Sequence, residues 1–316
     1  MLRARHYGVI AALMAVTSSA FLVYNRPTTT ALEPVAADGQ LHAALPAPST
    51  EEPAPSTEPP STAPSARHAP APQQDLGAGL AVADAAAGDS SVSLGVAILD
   101  LSTGQLISGS GGATPFYSAS LSKLLLVVDM LDLRAAGNLE LSDDDLGLVE
   151  RALAYSDDSA MDVLWTRFDG MAAIDRVAQT AGLSDTRAPD DSSQWGEARV
   201  SANDMVRLYQ YIVTKMPRAD RELIVDALSS AQEEAADGSD QFFGLLDGAA
   251  RGSRTAYAKQ GWMYYQPSDV YLHSAGVVDH RYAVAVLTEQ TNMSEEEARM
   301  QVERIVATVL EPLPAS

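Results

Sequence analysis

Ser120-Leu121-Ser122-Lys123 sets a hydroxyl and an amine three residues apart at the head of an apolar run. On a helix, residues at i and i+3 share a face, so Lys123 can reach the Ser120 hydroxyl. A serine is a weak nucleophile until a neighbouring base takes its proton. At a helix N-terminus it also sits where backbone N–H groups and the dipole favour a developing oxyanion. Two further groups complete the set: Ser156-Asp157-Asp158, between two helical runs, and Lys259-Gln260-Gly261, ahead of an aromatic stretch. Lys259 is the candidate cation that, beside Lys123 in a buried site, would lower its pKa toward a neutral amine. Ser156 would relay a proton towards a leaving nitrogen, and Lys259 would hold an anionic substrate group.

Lysine usage sharpens this reading. The chain holds 21 lysines and arginines, and three of them are lysines: Lys123, Lys215 and Lys259. Two of those three therefore fall in the motifs of a chain that otherwise uses arginine. Arginine could not replace them, because it does not deprotonate and is not a compact point charge. Other chemistries find less support. There is no G-x-S-x-G elbow and no H-E-x-x-H motif. His273 and His280 fall on a strand and a turn, which suits core or surface roles better than catalysis. Ser142-Asp143-Asp144-Asp145 reads as an N-cap with a charged first turn rather than a calcium loop. Trp262, Tyr264 and Tyr265 could equally be strand core or cleft lining. No metal and no cofactor is expected.

The elements that must position these residues follow from pattern. Val92 to Leu101 is β-branched and apolar, Ser102-Thr103-Gly104 turns, and Gln105 to Ser108 returns, which is a hairpin. Val270–Val278 and Arg281–Thr288 form a second apolar pair broken by Asp279-His280. Between them lie helical runs at Ser120–Ala135, Asp143–Ala154, Ser159–Phe168, Met171–Ala181, Ser201–Lys215 and Arg218–Glu234. Leu76–Ala87 is Ala-rich and helix-like. Ser294–Leu310 is a terminal helix, with Glu297 three residues after Ser294 as in a capping box. Strands from both ends around a helical insert imply an α+β domain, an antiparallel sheet with helices beside it and an all-helical lobe.

That domain is expected over residues 75–316. Residues 1–25, with Arg3, Arg5 and His6 before an uncharged stretch from Tyr7 to Tyr24, read as a signal or membrane anchor. Phe21 to Tyr24 carry the apolar run past the small residues Ser18-Ser19-Ala20, which favours the anchor. Residues 26–74, rich in Pro, Ala, Ser, Thr and Glu, read as an extended disordered linker. The functional part would then lie outside the cytoplasm, touching a membrane through its N-terminal segment only. The chain has no cysteine, which excludes disulfides, thiolate metal sites, thiol catalysis and a lipid-bearing cysteine. A formal net charge of −21 argues against nucleic acid as a partner. A monomer is expected.

With these motifs in this order, the sequence resembles the class A serine β-lactamases and their penicillin-binding relatives from Val92 to Leu310. Leu148 to Trp165 is similar to the family's central helices, and Val200 to Met205 to the segment after its Ω-loop. The resemblance implies an acyl-enzyme on Ser120, with Lys123 as base and Ser156 as proton relay. It also implies an oxyanion hole from the backbone N–H groups of Ser120 and Trp262, and substrate contacts from Asp158, Lys259, Gln260 and Gly261. β-Lactams or D-Ala-type cell-wall peptides would be the substrates. Four departures accompany it. Asp158 replaces an asparagine, and ionised it could pair with Lys123 and keep it protonated. Gln260 replaces the hydroxyl that contacts a substrate carboxylate. The interval from Ser120 to Ser156 is short. Residues 182–201 contain no E-x-x-L-N segment, whose glutamate activates the deacylating water; Asp190, Asp191 and Glu197 are the substitutes at hand. Three functions stay open: a β-lactamase-like hydrolase, a D-Ala-D-Ala peptidase-like enzyme, and a silent module that binds muropeptides or β-lactams.

Overall fold

A computed structural model describes residues 76–86, 91–265 and 269–314, all within the unit His68–Ser316. The anchor and linker expectations (1–25 and 26–74) fall outside the described residues. The elements run, in order, α1 (Leu76–Ala86), β1 (Val92–Asp100), β2 (Gln105–Ser108), β3 (Phe116–Tyr117), α2 (Ser122–Ala135), α3 (Asp143–Ala154), α4 (Asp158–Arg167) and α5 (Gly170–Ala181). They continue with β4 (Arg199–Val200), α6 (Ala202–Thr214), α7 (Arg218–Ser229), α8 (Gly248–Arg251), β5 (Ala256–Tyr265), β6 (Asp269–Val278), β7 (Tyr282–Thr291) and α9 (Glu295–Leu310).

Five strands pair antiparallel in the order β2-β1-β7-β6-β5, so the early strand β1 lies beside the late strand β7 in one sheet. Strand alternation makes that sheet two-faced. Val96, Ile98, Val284 and Val286 join a core with α9, while Ala97, Leu99, Ala283, Ala285 and Leu287 join the core of the helical lobe. This is the α+β architecture the sequence pattern implies. Gly276 on β6 has a packing reason: a Cβ there would lie 2.3 Å from the Tyr257 carbonyl oxygen and 2.5 Å from the Ala258 Cβ.

Helix α2 runs through the lobe, and every residue from Ser122 to Leu131 is buried. A helix apolar on nearly all sides must sit inside a core, and each fully buried leucine or valine there contributes about 1.5–3 kcal/mol. Such packing holds Lys123 rigidly. Both expected caps are present as capping boxes, Ser142 with Asp145 on α3 and Ser294 with Glu297 on α9.

Of the boundaries that differ from the pattern, two bear on the site. Ser120 lies in a 3-10 turn, Ala119–Leu121, with the α-helix starting at Ser122. Helix α7 stops at Ser229 rather than Glu234. Beyond it the Gln232 N–H donates to the Ala154 carbonyl and the Ala236 N–H to the Tyr155 carbonyl, so the chain satisfies its backbone on the end of α3 instead. That path carries Asp237 toward the cleft described next.

Candidate active site

Ser120 and Lys123 meet as their spacing requires, with Lys123 Nζ donating to Ser120 Oγ at 2.6 Å. The approach to Ser120 is strained: Ala119 has φ 46°, a left-handed conformation that a residue with a Cβ adopts only at a cost. Its surroundings hold it there. The Ser118 N–H donates to the Ala198 carbonyl at 2.7 Å, and the Ser122 hydroxyl donates to the Ala119 carbonyl at 2.9 Å. Strand β5 presses in from the other side. A Cβ on Gly261 would lie 3.1 Å from the Ser118 oxygen and 3.4 Å from the Ala119 Cβ, so the missing side chain permits this approach.

Ser156 is also left-handed, at φ 51°, just before α4. Asp157 caps α4 by accepting from the Ala160 N–H at 3.1 Å, and it pairs with Arg151. Burial raises the Asp157 pKa, but those hydrogen bonds outweigh it and leave the carboxyl below its ordinary value. The Ser156 hydroxyl consequently stands between both motif lysines, 2.9 Å from Lys259 Nζ and 3.4 Å from Lys123 Nζ. Lys123 further bonds the Ser156 carbonyl at 3.0 Å and Asp158 Oδ1 at 2.6 Å. Ser120 Oγ, Ser156 O and Asp158 Oδ1 are the three nearer of its four acceptors, Ser156 Oγ being the fourth. The indole of Trp195 adds a cation–π contact, 4.6 Å from Nζ to the ring centroid.

Both lysines are fully buried. Burial lowers the Lys123 pKa, with the charge and hydrogen bond of Asp158 pulling it back up. Burial lowers Lys259 further, and the charge of Lys123 adds to that fall. Lys259 bonds only neutral oxygens in its neighbourhood, Ser156 Oγ and the Gln260 carbonyl at 3.0 Å. Lys123 thus owns the carboxylate of the pair, and burial lowers both lysines.

Gln260 requires a correction. Its side chain is buried on the far face of β5, where its amide donates to the Phe243 carbonyl, and its Oε1 has no partner. Strand alternation sends it away from Ser120, so it is not placed to touch a substrate. The backbone fits better. Tyr209 wedges its hydroxyl between β5 and β6, accepting from the Lys259 N–H at 3.2 Å and donating to the Ala275 carbonyl at 2.7 Å. The Lys259 N–H therefore faces β6. By alternation the N–H of Trp262 faces off the free sheet edge, the side on which Ser120 lies.

These residues border a cleft of about 220 Å³ lined by Ser120, Asp158, Trp195, Asp237, Trp262 and Met263, with Ala119 and residues 193, 194 and 196. Trp262 faces both ways, edge-on to Phe243 and lining the cleft. Trp195 and Asp237 carried no motif in the sequence; both arrive on irregular segments placed by tertiary contacts. The carboxylates weighed as a deacylating base are elsewhere. Asp190 and Glu197 border a separate cavity of about 410 Å³ with Arg187 and Arg199, and Glu197 accepts from the Tyr265 hydroxyl. Asp191 is exposed and accepts from the Ser193 N–H and hydroxyl, each at 2.8 Å. None of the three lines the cleft. His273 is core: its Nε2 meets the Tyr117 carbonyl at 2.7 Å, and its Nδ1 accepts from the Thr288 N–H at 3.2 Å.

A five-stranded antiparallel sheet beside a helical lobe, with the three motifs converging at their junction, is the class A β-lactamase fold. Solved structures bear this out. A β-lactamase from Chitinophaga pinensis matches with a TM-score of 0.61 at 15% identity, over 74% of this chain and 98% of that one. PBP-A matches with a TM-score of 0.61 at 17% identity, over 74% and 95%. Likeness at such identity carries the fold alone. Sequence carries the family: residues 146–313 match the model of the beta-lactamase enzyme family, and the chain belongs to it. A relative from Mycobacterium tuberculosis, named "Putative lipoprotein LppW", is 31% identical over 221 residues, 68% of this chain and 69% of its own length. Among the described residues no helix is long and apolar enough to cross a membrane.

Proposed function

We propose that the protein is a serine hydrolase that forms an acyl-enzyme on Ser120, acting on β-lactams or on cell-wall peptides of the D-Ala type. The observation that carries this reading is the buried Ser120–Lys123 pair, joined through Ser156 to Lys259. Ser120 Oγ attacks the substrate carbonyl carbon and its proton passes to Lys123 Nζ. The N–H groups of Ser120 and Trp262 receive the oxyanion as preorganised dipoles. Ser156, fed by the two lysines, protonates the leaving nitrogen as the C–N bond breaks and the ester to Ser120 forms. Water then hydrolyses that ester, releasing the acid and returning the proton to Ser120.

Acylation is the easier half of this cycle. Trp195 lies over Lys123, and the carboxylates of residues 182–201 weighed as a deacylating base are engaged away from the cleft. Deacylation is slow on this reading, which favours a peptidase-like enzyme or a long-lived β-lactam adduct over rapid turnover. The reaction takes place outside the cytoplasm, in keeping with the basic and apolar N-terminus and with the name of the mycobacterial relative. This chain has no cysteine to carry a lipid as a lipoprotein does. A chromogenic cephalosporin and a fluorescent penicillin separate the outcomes. A persistent fluorescent band with little colour change is expected; no band and no colour change with any acyl donor would leave only a binding module.

A further inference from the structure

We propose that Trp195, latched to Asp162, sets the lifetime of the acyl-enzyme by closing the side of Lys123 from which water would reach the Ser120 ester. This rests on the acyl-enzyme reading above and assigns control of its slow half to one positioning residue. Lys123 Nζ already has Ser120 Oγ, Ser156 O, Ser156 Oγ and Asp158 Oδ1 around it, between 2.6 and 3.4 Å away. The Trp195 ring covers it as well, its centroid 4.6 Å from Nζ. A water between the two needs about 2.8 Å to the nitrogen and about 3.5 Å to the ring, roughly 6 Å together. The observed gap does not admit one. The same indole lines the cleft with Ser120, so it stands between the open cleft and the base.

A hydrogen bond at the surface latches the ring in place. Trp195 is half-buried on a 3-10 turn, Trp195–Glu197, and its Nε1 donates to Asp162 Oδ1 at 2.8 Å. Trp165 fastens the start of the same segment, its Nε1 donating to the Ser192 carbonyl at 2.8 Å. Asp158, Asp162 and Trp165 stand at i, i+4 and i+7 of α4, one stripe of that helix. A single helix face therefore holds the carboxylate of the base, the latch, and the segment that carries the indole. The far end of the segment is tied beside the nucleophile, where the Ser118 N–H donates to the Ala198 carbonyl at 2.7 Å. With the backbone fastened at both ends, rotation of the indole is the motion that opens this side. Once it swings aside, water enters beside neutral Lys123 Nζ. The water oxygen bonds the acyl carbon as one proton passes to Nζ. That proton then goes to Ser120 Oγ as the ester C–O bond breaks, and the acid leaves.

The test uses the full chain, acylated by a penicillin or by a thioester acyl donor and then freed of excess reagent. Intact mass follows loss of the Ser120 adduct, and the acylation rate is measured separately. Asp162 is exposed, so its variants keep the fold. An exposed hydrogen bond of this kind holds by a factor of roughly 2 to 12, and Asp162→Ala should shorten the adduct half-life by about that much. Asp162→Asn, which keeps an acceptor oxygen, should restore the wild-type lifetime. Trp195→Ala should shorten it further than Asp162→Ala, without an equal rise in the acylation rate. A half-life unchanged or longer in Trp195→Ala, acylation that rises by the same factor, or Asp162→Asn behaving as Asp162→Ala overturns the assignment. Failure of both reagents to form an adduct on Ser120 in the wild type overturns the acyl-enzyme reading itself, and the lifetime assignment with it.

Discussion

Replacing Asp158 by asparagine keeps the size of the side chain and removes its charge from Lys123. The two groups are 2.6 Å apart, Lys123 fully buried and the Asp158 side chain 60% exposed. Exposure rules out a low-dielectric strength for the pair; discounted for solvent, the carboxylate holds the proton on Lys123 by about 1–2 kcal/mol. At 1.36 kcal/mol per factor of ten, the ratio of neutral to protonated Lys123 rises by about 5- to 30-fold in the variant. The sign follows from the roles. A base must be neutral to work, and losing its counter-ion lowers its pKa, so the acid limb of the acylation profile moves to lower pH. Stopped-flow acylation by a fluorescent penicillin, from about pH 5 to pH 10, measures this in wild type and Asp158→Asn. A variant whose limb does not move, and whose rate at neutral pH is equal or lower, refutes the assignment of Asp158 as the group that holds Lys123 protonated.

Three further outcomes are expected. Burial holds His273 at about 4 against an ordinary 6.5, so the unfolded chain takes a proton that the folded one refuses. Its contribution is intact above the unfolded value and is lost as pH falls toward 4, by up to about 1.4 kcal/mol per unit; denaturant melts at pH 7 and 5 should show a flatter dependence in His273→Gln. Gln260→Ala should lower stability by about 1–3 kcal/mol, by losing a buried hydrogen bond and opening a cavity. It should leave Ser120 acylation within about twofold, because no substrate contact is removed; a large loss of acylation would put Gln260 back in the cleft. Gly276→Ala forces a methyl against the Tyr257 carbonyl and Ala258. It should cost about 1–3 kcal/mol or more, read as a lower urea midpoint.

Much of the fold was legible because its signals are local. The hairpin at Ser102-Thr103-Gly104, the caps at Ser142 and Ser294 and the buried run of α2 each follow from a few neighbouring residues, and the structure has each of them. The Ser120–Lys123 contact was legible for the same reason, since a helical turn fixes it, whereas the pairing of Asp158 with Lys123 was expected from the resemblance. What escaped depends on distant chain. Trp195 and Asp237 enter the cleft on segments without periodicity, the second because Gln232 and Ala236 bond to the end of α3. The direction of Gln260 depends on strand phase, which a three-residue motif does not state.

Peptide mapping by mass spectrometry after treatment with a penicillin tests the nucleophile most directly. A single adduct on the peptide containing Ser120 is expected, absent in Ser120→Ala and formed far more slowly in Lys123→Ala. An adduct that survives Ser120→Ala, or one that forms at the wild-type rate without Lys123, contradicts the site described.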